Sequence, residues 1–138
     1  MVLTPPSLPH VAARTILDLD KGKWTPIHLP KRATATLDRV RQGRAVYGTD
    51  PFLIAFYGNE AGGRDMGKPL GTVTTKGRHA IIKGNYMRML NLPEVRREMG
   101  FPDTYRLPDC PEDAHKLLGN AVVPAVATWL VDQIRKAA

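Results

Sequence analysis

Cysteine is almost absent from this 138-residue chain, with Cys110 standing alone. A lone cysteine excludes an internal disulfide and any cysteine-rich zinc site. Histidine is scarce too. His10, His28, His79 and His115 are scattered without metal-ligand spacing, so no metal site is expected and polar surface is their plainest reading. No apolar run comes near the roughly 20 residues of a membrane span, and the opening MVLTPPSLPH lacks the charged start and apolar stretch of a signal peptide. A cytoplasmic protein without a membrane partner is the expectation. Phosphate loops and Ser-His-Asp arrangements are missing as well. GNEAGGRD, residues 58–65, is glycine-rich but follows the wrong kind of unit for a cofactor turn.

Acidic residues are the other shortage, 13 Asp and Glu against 20 Lys and Arg, for a net charge of +7. Residues 1–100 carry 16 basic and 8 acidic side chains, whereas residues 101–138 carry 4 and 5. The excess therefore belongs to the first hundred residues and favours a polyanion, most simply nucleic acid. A basic surface kept only for solubility gives the same composition. The 43% apolar and 24% charged fractions suit one soluble globular domain.

The first ten residues, with three prolines, read as an extended lead-in. TILDL, 15–19, reads as a short strand, followed by a basic loop around Trp24. TATLDRVRQGRAV, 34–46, predicts a helix capped by Thr34 or Thr36, although Gly43 weakens it by about 1 kcal/mol. PFLIAFY, 51–57, is a continuous apolar run with aromatics and predicts a buried strand. Further strands are expected at GTVTT, 71–75, AIIK, 80–83, and YMRML, 86–90, joined by glycine and basic turns. Asn91 can cap a helix over 92–99, with Pro93 and Glu94 in its first turn and Gly100 ending it. Phe101 and Pro102 then form a rigid apolar hook that should be exposed. Glu94 and Glu98 lie one turn apart and are expected to make solvated pairs among the arginines. A helix from Pro111 reaches Leu118, Gly119-Asn120 breaks it, and 121–137 forms the longest helix with Pro124 in its first turn. The apolar stripe of that helix, Val122, Val126, Trp129, Leu130 and Ile134, has helical spacing and no obvious partner in a small sheet domain.

RMLNLPEVRREMGFPDTY, 88–105, resembles the ninth conserved motif of the DNA cytosine-5 methyltransferases, through Arg88, Leu90, Glu94, Arg97, Gly100, Phe101 and Pro102. HKLLGNAVVPAVA, 115–127, is similar to the tenth, through Gly119, Asn120, Ala121, Val122 and Pro124. PLGTVTTKGRHAIIK, 69–83, looks like the end of the target-recognition domain in bacterial and phage members. The likeness covers residues 12–138, least clearly over 1–50. Asn91, Leu92 and Pro93 depart from the usual Thr-Pro-Arg, and Met99 stands where glutamine is common. The resemblance implies that Arg88, Glu94, Gly100, Phe101, Pro102 and Gly119 are structural motif residues, the ninth motif bracing the recognition domain. It also implies that Asn120 and the backbone near Val122 complete an S-adenosylmethionine pocket from outside.

What the chain does not contain is equally informative. Methylating carbon 5 of cytosine needs a nucleophile for carbon 6, which this family supplies as a cysteine after a proline. It also needs a protonating glutamate, a basic pair and a glycine-rich cofactor turn. Cys110 sits in Asp-Cys-Pro, with the proline on the wrong side and an aspartate that disfavours the thiolate, so a spacer or small packing residue is its reading. No catalytic residue is expected in this chain. The expected fold is α+β, a small twisted and mostly antiparallel sheet with a C-terminal helical segment, completing an α/β methyltransferase lobe supplied elsewhere. Residues 1–90 are read as the recognition region and 91–138 as a closing segment.

Double-stranded DNA and a catalytic lobe or subunit are the implied partners, with the cofactor bound only jointly with that partner. Arg64, Lys76, Arg78 and His79 are the candidates for reading DNA, since arginine grips guanine edges bidentately and glycine lets the backbone approach. Lys21, Lys23, Lys31 and Arg32 are the candidates for phosphate contact. A stand-alone DNA-binding remnant and a basic protein-interaction module remain as alternatives.

Overall fold

The computed structural model describes residues 9–58 and 60–137; most of the proline-rich lead-in lies outside them. The fold is α+β. Strands β1 (Thr25–Pro26), β2 (Phe52–Ala55), β3 (His79–Lys83) and β4 (Tyr86–Met89) form one antiparallel sheet in the order β1-β4-β3-β2. Helix α1 (Thr34–Tyr47) lies between β1 and β2 in the chain, and α2 (Leu92–Glu98), α3 (Pro111–Asn120) and α4 (Pro124–Ala137) follow β4.

The unbroken apolar run of β2 has a direct cause, because both faces of the sheet are covered. Alternate side chains of a strand point to opposite faces. Phe52 and Ile54 join Ile27, Val40, Ala80, Ile82 and Met87 beneath α1. Leu53 and Ile81 join Val95, Met99 and Leu118 beneath α2 and α3. All four β2 residues are consequently buried. The sheet and the helices after it thus build one core.

Gly43 shows why a poor helix former sits inside α1. It is buried, and a Cβ there would lie 2.7 Å from Phe52 Cζ, so α1 reaches the sheet only with glycine at this point. The expected side-chain cap is not made: Ala33 holds the N-cap position of α1, and Thr36 is buried instead.

Several boundaries move. TILDL is not a strand; a 3-10 turn at Ala13–Thr15 precedes an irregular segment. GTVTT is not one either, because the outer side of β2 is already taken by Arg64, whose amide and carbonyl both bond Leu53. Its threonines turn back locally, with Thr74 Oγ1 donating to the Lys76 carbonyl at 2.8 Å. Gly119 and Asn120 do not break the helix but end α3, and the break falls at 121–123. Gly119 is needed for contact, since a Cβ there would sit 2.5 Å from the Thr74–Thr75 backbone.

No residue of α4 is buried. Val126, Leu130, Val131 and Ile134 are 37–64% exposed, Val122 before the helix is 60% exposed, and Trp129 is half-buried. The stretch Pro111–Ala137 is long and apolar enough for a membrane span by length and composition alone, which its residues one by one did not suggest. It is nevertheless two helices rather than one continuous rod.

Candidate nucleic-acid interface

The entry to α2 is built as expected. Asn91 Oδ1 accepts from the Glu94 amide at 3.0 Å and Glu94 Oε2 accepts from the Asn91 amide at 2.9 Å, a complete capping box. Gly100, at φ +75°, turns the chain out of the helix. The hook itself differs from expectation. Phe101 is half-buried against the α2–α3 core and its ring lies 4.5 Å from that of Tyr105, while Pro102 is exposed. Asp103 accepts from both Arg96 and Arg97, which binds the hook back onto α2.

Glu94 and Glu98 do not form solvated pairs; both side chains are buried. Glu94 and Arg88 make a bidentate pair with both bonds at 2.7 Å and each side chain 1% exposed. Their other bonds reach the segment before β1. The Asp18 amide donates to Glu94 at 2.9 Å, and Arg88 Nη2 donates to the Asp18 carbonyl. Trp24 stacks 5.1 Å from the guanidinium, and Gly22, at φ +93°, has no room for a side chain beside Arg88 Cδ. A desolvated ion pair is stable only with such extra bonds around it. The Lys21–Lys23 loop is therefore shaped around this pair. Sequence spacing could not reveal it, because Arg88 stands on β4 and not on the helix.

Next to this loop, between β1–β4 and the start of α1, lies an open cleft of about 780 Å³. Lys23, Lys31, Arg32 and Arg78 line it above an apolar floor that includes Leu29, Phe56 and Met89. None of its lining residues is acidic. The first turn of α1 faces it with no side-chain cap and no carboxylate, which adds positive potential. Arg32 is only partly available, because its guanidinium donates to Thr25 Oγ1 and to the Ile27 and Pro26 carbonyls. Arg78 donates to the Phe56 carbonyl at 3.3 Å.

The other expected DNA residues are placed differently. Lys21 is exposed and paired with Asp18 at 3.1 Å. Lys76 lines a separate depression with Gly77, His115 and the start of α3. Arg64 lies away from the basic cleft, its fork occupied by Glu60 and its plane near Tyr57, so it does not present a free guanidinium. His79 is a correction, being 5% exposed and facing α2 from inside the sheet, which removes it from any DNA surface. Its Nδ1 lies 3.7 Å from Glu98 Oε1 and its Nε2 bonds Tyr57 Oη at 3.1 Å. Burial pushes the Glu98 carboxyl up to about 8 and the His79 ring down to about 4. Arg64 holds the first back and adds to the second. Cys110, read as a spacer or small packing residue, is exposed at the N-cap of α3 and makes no side-chain cap there.

A family model described as C-5 cytosine-specific DNA methylase matches residues 30–136. The chain belongs to that family. No curated protein matches the chain, and no solved structure matches it. Methylases of this family act on DNA and use S-adenosylmethionine. The matched region spans α1 to α4 and includes Lys31, Arg32 and Arg78, but not Lys21 or Lys23. Asn120, at the last position of α3, and Val122 are both exposed. One exposed amide and one exposed apolar side chain do not by themselves enclose a cofactor.

Proposed function

We propose that these residues are the DNA-recognition and pocket-closing part of a cytosine-5 methylase of the bacterial or phage kind. Residues 1–90 would hold DNA and 91–138 would close onto a catalytic lobe. The observation that carries this reading is the convergence of Lys23, Lys31, Arg32 and Arg78 on one cleft with no acidic lining residue. Such a surface neutralises phosphates along a duplex, and the arginines add bidentate donors. Lys21 and Lys76 flank it as outer phosphate contacts. Because the family's Pro-Cys nucleophile is not in the sequence, the covalent attack on carbon 6 belongs to the lobe. S-adenosylmethionine supplies the methyl group. Asn120 and the backbone near Val122 would form its outer rim, and the exposed α4 stripe would pack on the lobe. A cytoplasmic place and a role in restriction-modification accord with this reading.

The test is methyl transfer to duplex DNA by this chain together with a polypeptide carrying the Pro-Cys and glycine-rich motifs, each also assayed alone. Activity only in the mixture supports the reading. Ile134→Lys should abolish the joint activity while changing stability by less than about 0.5 kcal/mol, since Ile134 is 64% exposed in the last turn of α4. Full activity of that variant would refute the docking role. The closed two-sided core favours one alternative, a stand-alone DNA-binding remnant, which predicts duplex binding with no methyl transfer in any mixture.

A further inference from the structure

The β2–β3 ladder does not stop where the strands do. Ala55 faces His79 as the last regular pair, and the Phe56 amide then donates to the Arg78 carbonyl at 2.8 Å. Beyond that point the backbone pairing ends, yet the side chains carry on. Tyr57 Oη reaches back to His79 Nε2 at 3.1 Å, the two rings meeting edge to face at 82°. Behind the histidine, Glu98 Oε1 lies 3.7 Å from Nδ1, buried and with no hydrogen-bond partner. A polar line thus runs from α2, through β3, to the residue following Phe56. Gly71 makes room for it, because a Cβ there would collide with the Tyr57 hydroxyl and the Arg64 guanidinium.

We propose that the Tyr57–His79 bond is a tie that fixes Arg78 at the basic cleft, making Tyr57 and His79 positioning residues for DNA contact. The tie is adjacent in sequence to both residues that hold Arg78: Tyr57 follows Phe56, and His79 follows Arg78 itself. Arg78 is bonded to Phe56 through its carbonyl and its guanidinium, so its reach into the cleft depends on where Phe56 is held. Without the Tyr57–His79 bond the ladder would fray from its open end. The charged and titratable groups around the tie are Glu60 and Arg64 on the loop, Lys76 and Arg78 before β3, and His115 on α3. The proposal rests on the cleft being the DNA site.

The experiment is a double-mutant cycle on the full chain, read as affinity for a short mixed-sequence duplex at low salt, with hydrogen exchange of the Phe56 amide in parallel. Arg78→Ala should weaken binding roughly tenfold. Tyr57→Phe should weaken it severalfold in the parent and not at all in the Arg78→Ala background, while the Phe56 amide exchanges faster. His79→Gln, which keeps a hydrogen-bonding group where Nε2 stands, should retain both affinity and protection, and His79→Leu should lose both. Equal losses from Tyr57→Phe in both backgrounds, or unchanged exchange at Phe56, would overturn the tie. If Arg78→Ala binds normally, Arg78 makes no DNA contact and the positioning role is overturned, while the other basic residues of the cleft decide separately whether it is the DNA site.

Discussion

Glu98 and His79 make the stability of this protein depend on pH in a defined window. Glu98 titrates at about 8 in the folded chain against 4.5 for a free side chain, because burial penalises its charge. The folded state therefore keeps a proton that the unfolded chain releases, and stability falls with rising pH from about 4.5 until Glu98 ionises. His79 works in the opposite sense. Its folded value of about 4 lies below the free value of 6.5, so the unfolded chain binds the extra proton and stability rises with pH between those limits. Between 4.5 and 6.5 the two slopes oppose each other and nearly cancel. Above 6.5 only Glu98 acts. One proton of difference changes unfolding free energy by about 1.4 kcal/mol per pH unit, so about 2 kcal/mol should be lost between pH 6.5 and 8.

Glu98→Gln isolates this contribution, since the amide keeps the shape and neutrality of the protonated acid and cannot ionise. The assay is urea unfolding at several pH values from 6.5 to 8.5, with parent and variant compared at each. The parent midpoint should fall across the range while the variant midpoint stays level, all other titrating groups being common to both. A Glu98→Gln curve that falls as steeply as the parent's would refute the reasoning, as would a parent curve with no slope.

Three other outcomes follow from the geometry. Glu94→Gln should cost about 3–5 kcal/mol in denaturant unfolding, because it leaves Arg88 buried without its counter-charge; a loss under about 1 kcal/mol would mean that water reaches the pair. Gly43→Ala should destabilise by about 1–3 kcal/mol despite better helix propensity, since the new methyl meets the Phe52 ring, and Phe52→Leu in the same chain should recover part of the loss. Lys31→Ala should make the logarithmic salt dependence of duplex binding shallower by about 0.9, the value of one phosphate contact; an unchanged slope would remove Lys31 from the DNA surface.

Local signals were legible where a few neighbouring residues decide the structure. Asn91, Pro93, Glu94 and Gly100 announce the start and stop of α2, and the runs in β2 and β3 announce buried strands. What escaped depends on distant partners. Glu94 and Glu98 look like surface residues of an Arg-rich helix, and only the arrival of Arg88 and His79 from neighbouring strands takes them out of water. The burial of His79 had a usable signal, because it shares a strand face with Ile81 two residues on. GTVTT misled for a physical reason: β-branched residues favour a strand only where an edge is free, and Arg64 already occupies the edge of β2. Gly43 and Gly119 were read as helix weaknesses, whereas each marks a close approach that no other residue permits. In the cleft, the basic residues were legible one by one, but not their convergence, nor the removal of Arg64 and His79 from it.

The two motifs of the methylase likeness end in different physical states, and the difference bears on how a catalytic lobe could be held. The first is turned inward, with Arg88 and Glu94 buried as an ion pair and Phe101 half-buried against the core. The second leads into a helix with no buried residue. Completing the burial of Val122, Val126, Leu130, Val131 and Ile134 would gain about 1 kcal/mol each, roughly half the value of burying a whole aliphatic side chain. Their sum, about 5 kcal/mol, would be matched by a similar gain from the facing surface of a lobe, and the total of about 10 kcal/mol only balances the roughly 4–15 kcal/mol that two free bodies lose on association. The α4 stripe alone therefore cannot hold a separate lobe firmly. On the proposed docking, either the lobe would be tethered, or DNA spanning both parts would raise their effective concentration and supply the rest. For separate polypeptides the association must then tighten sharply when duplex is added. Equal affinity with and without DNA would mean that something other than α4 and the basic cleft joins the two.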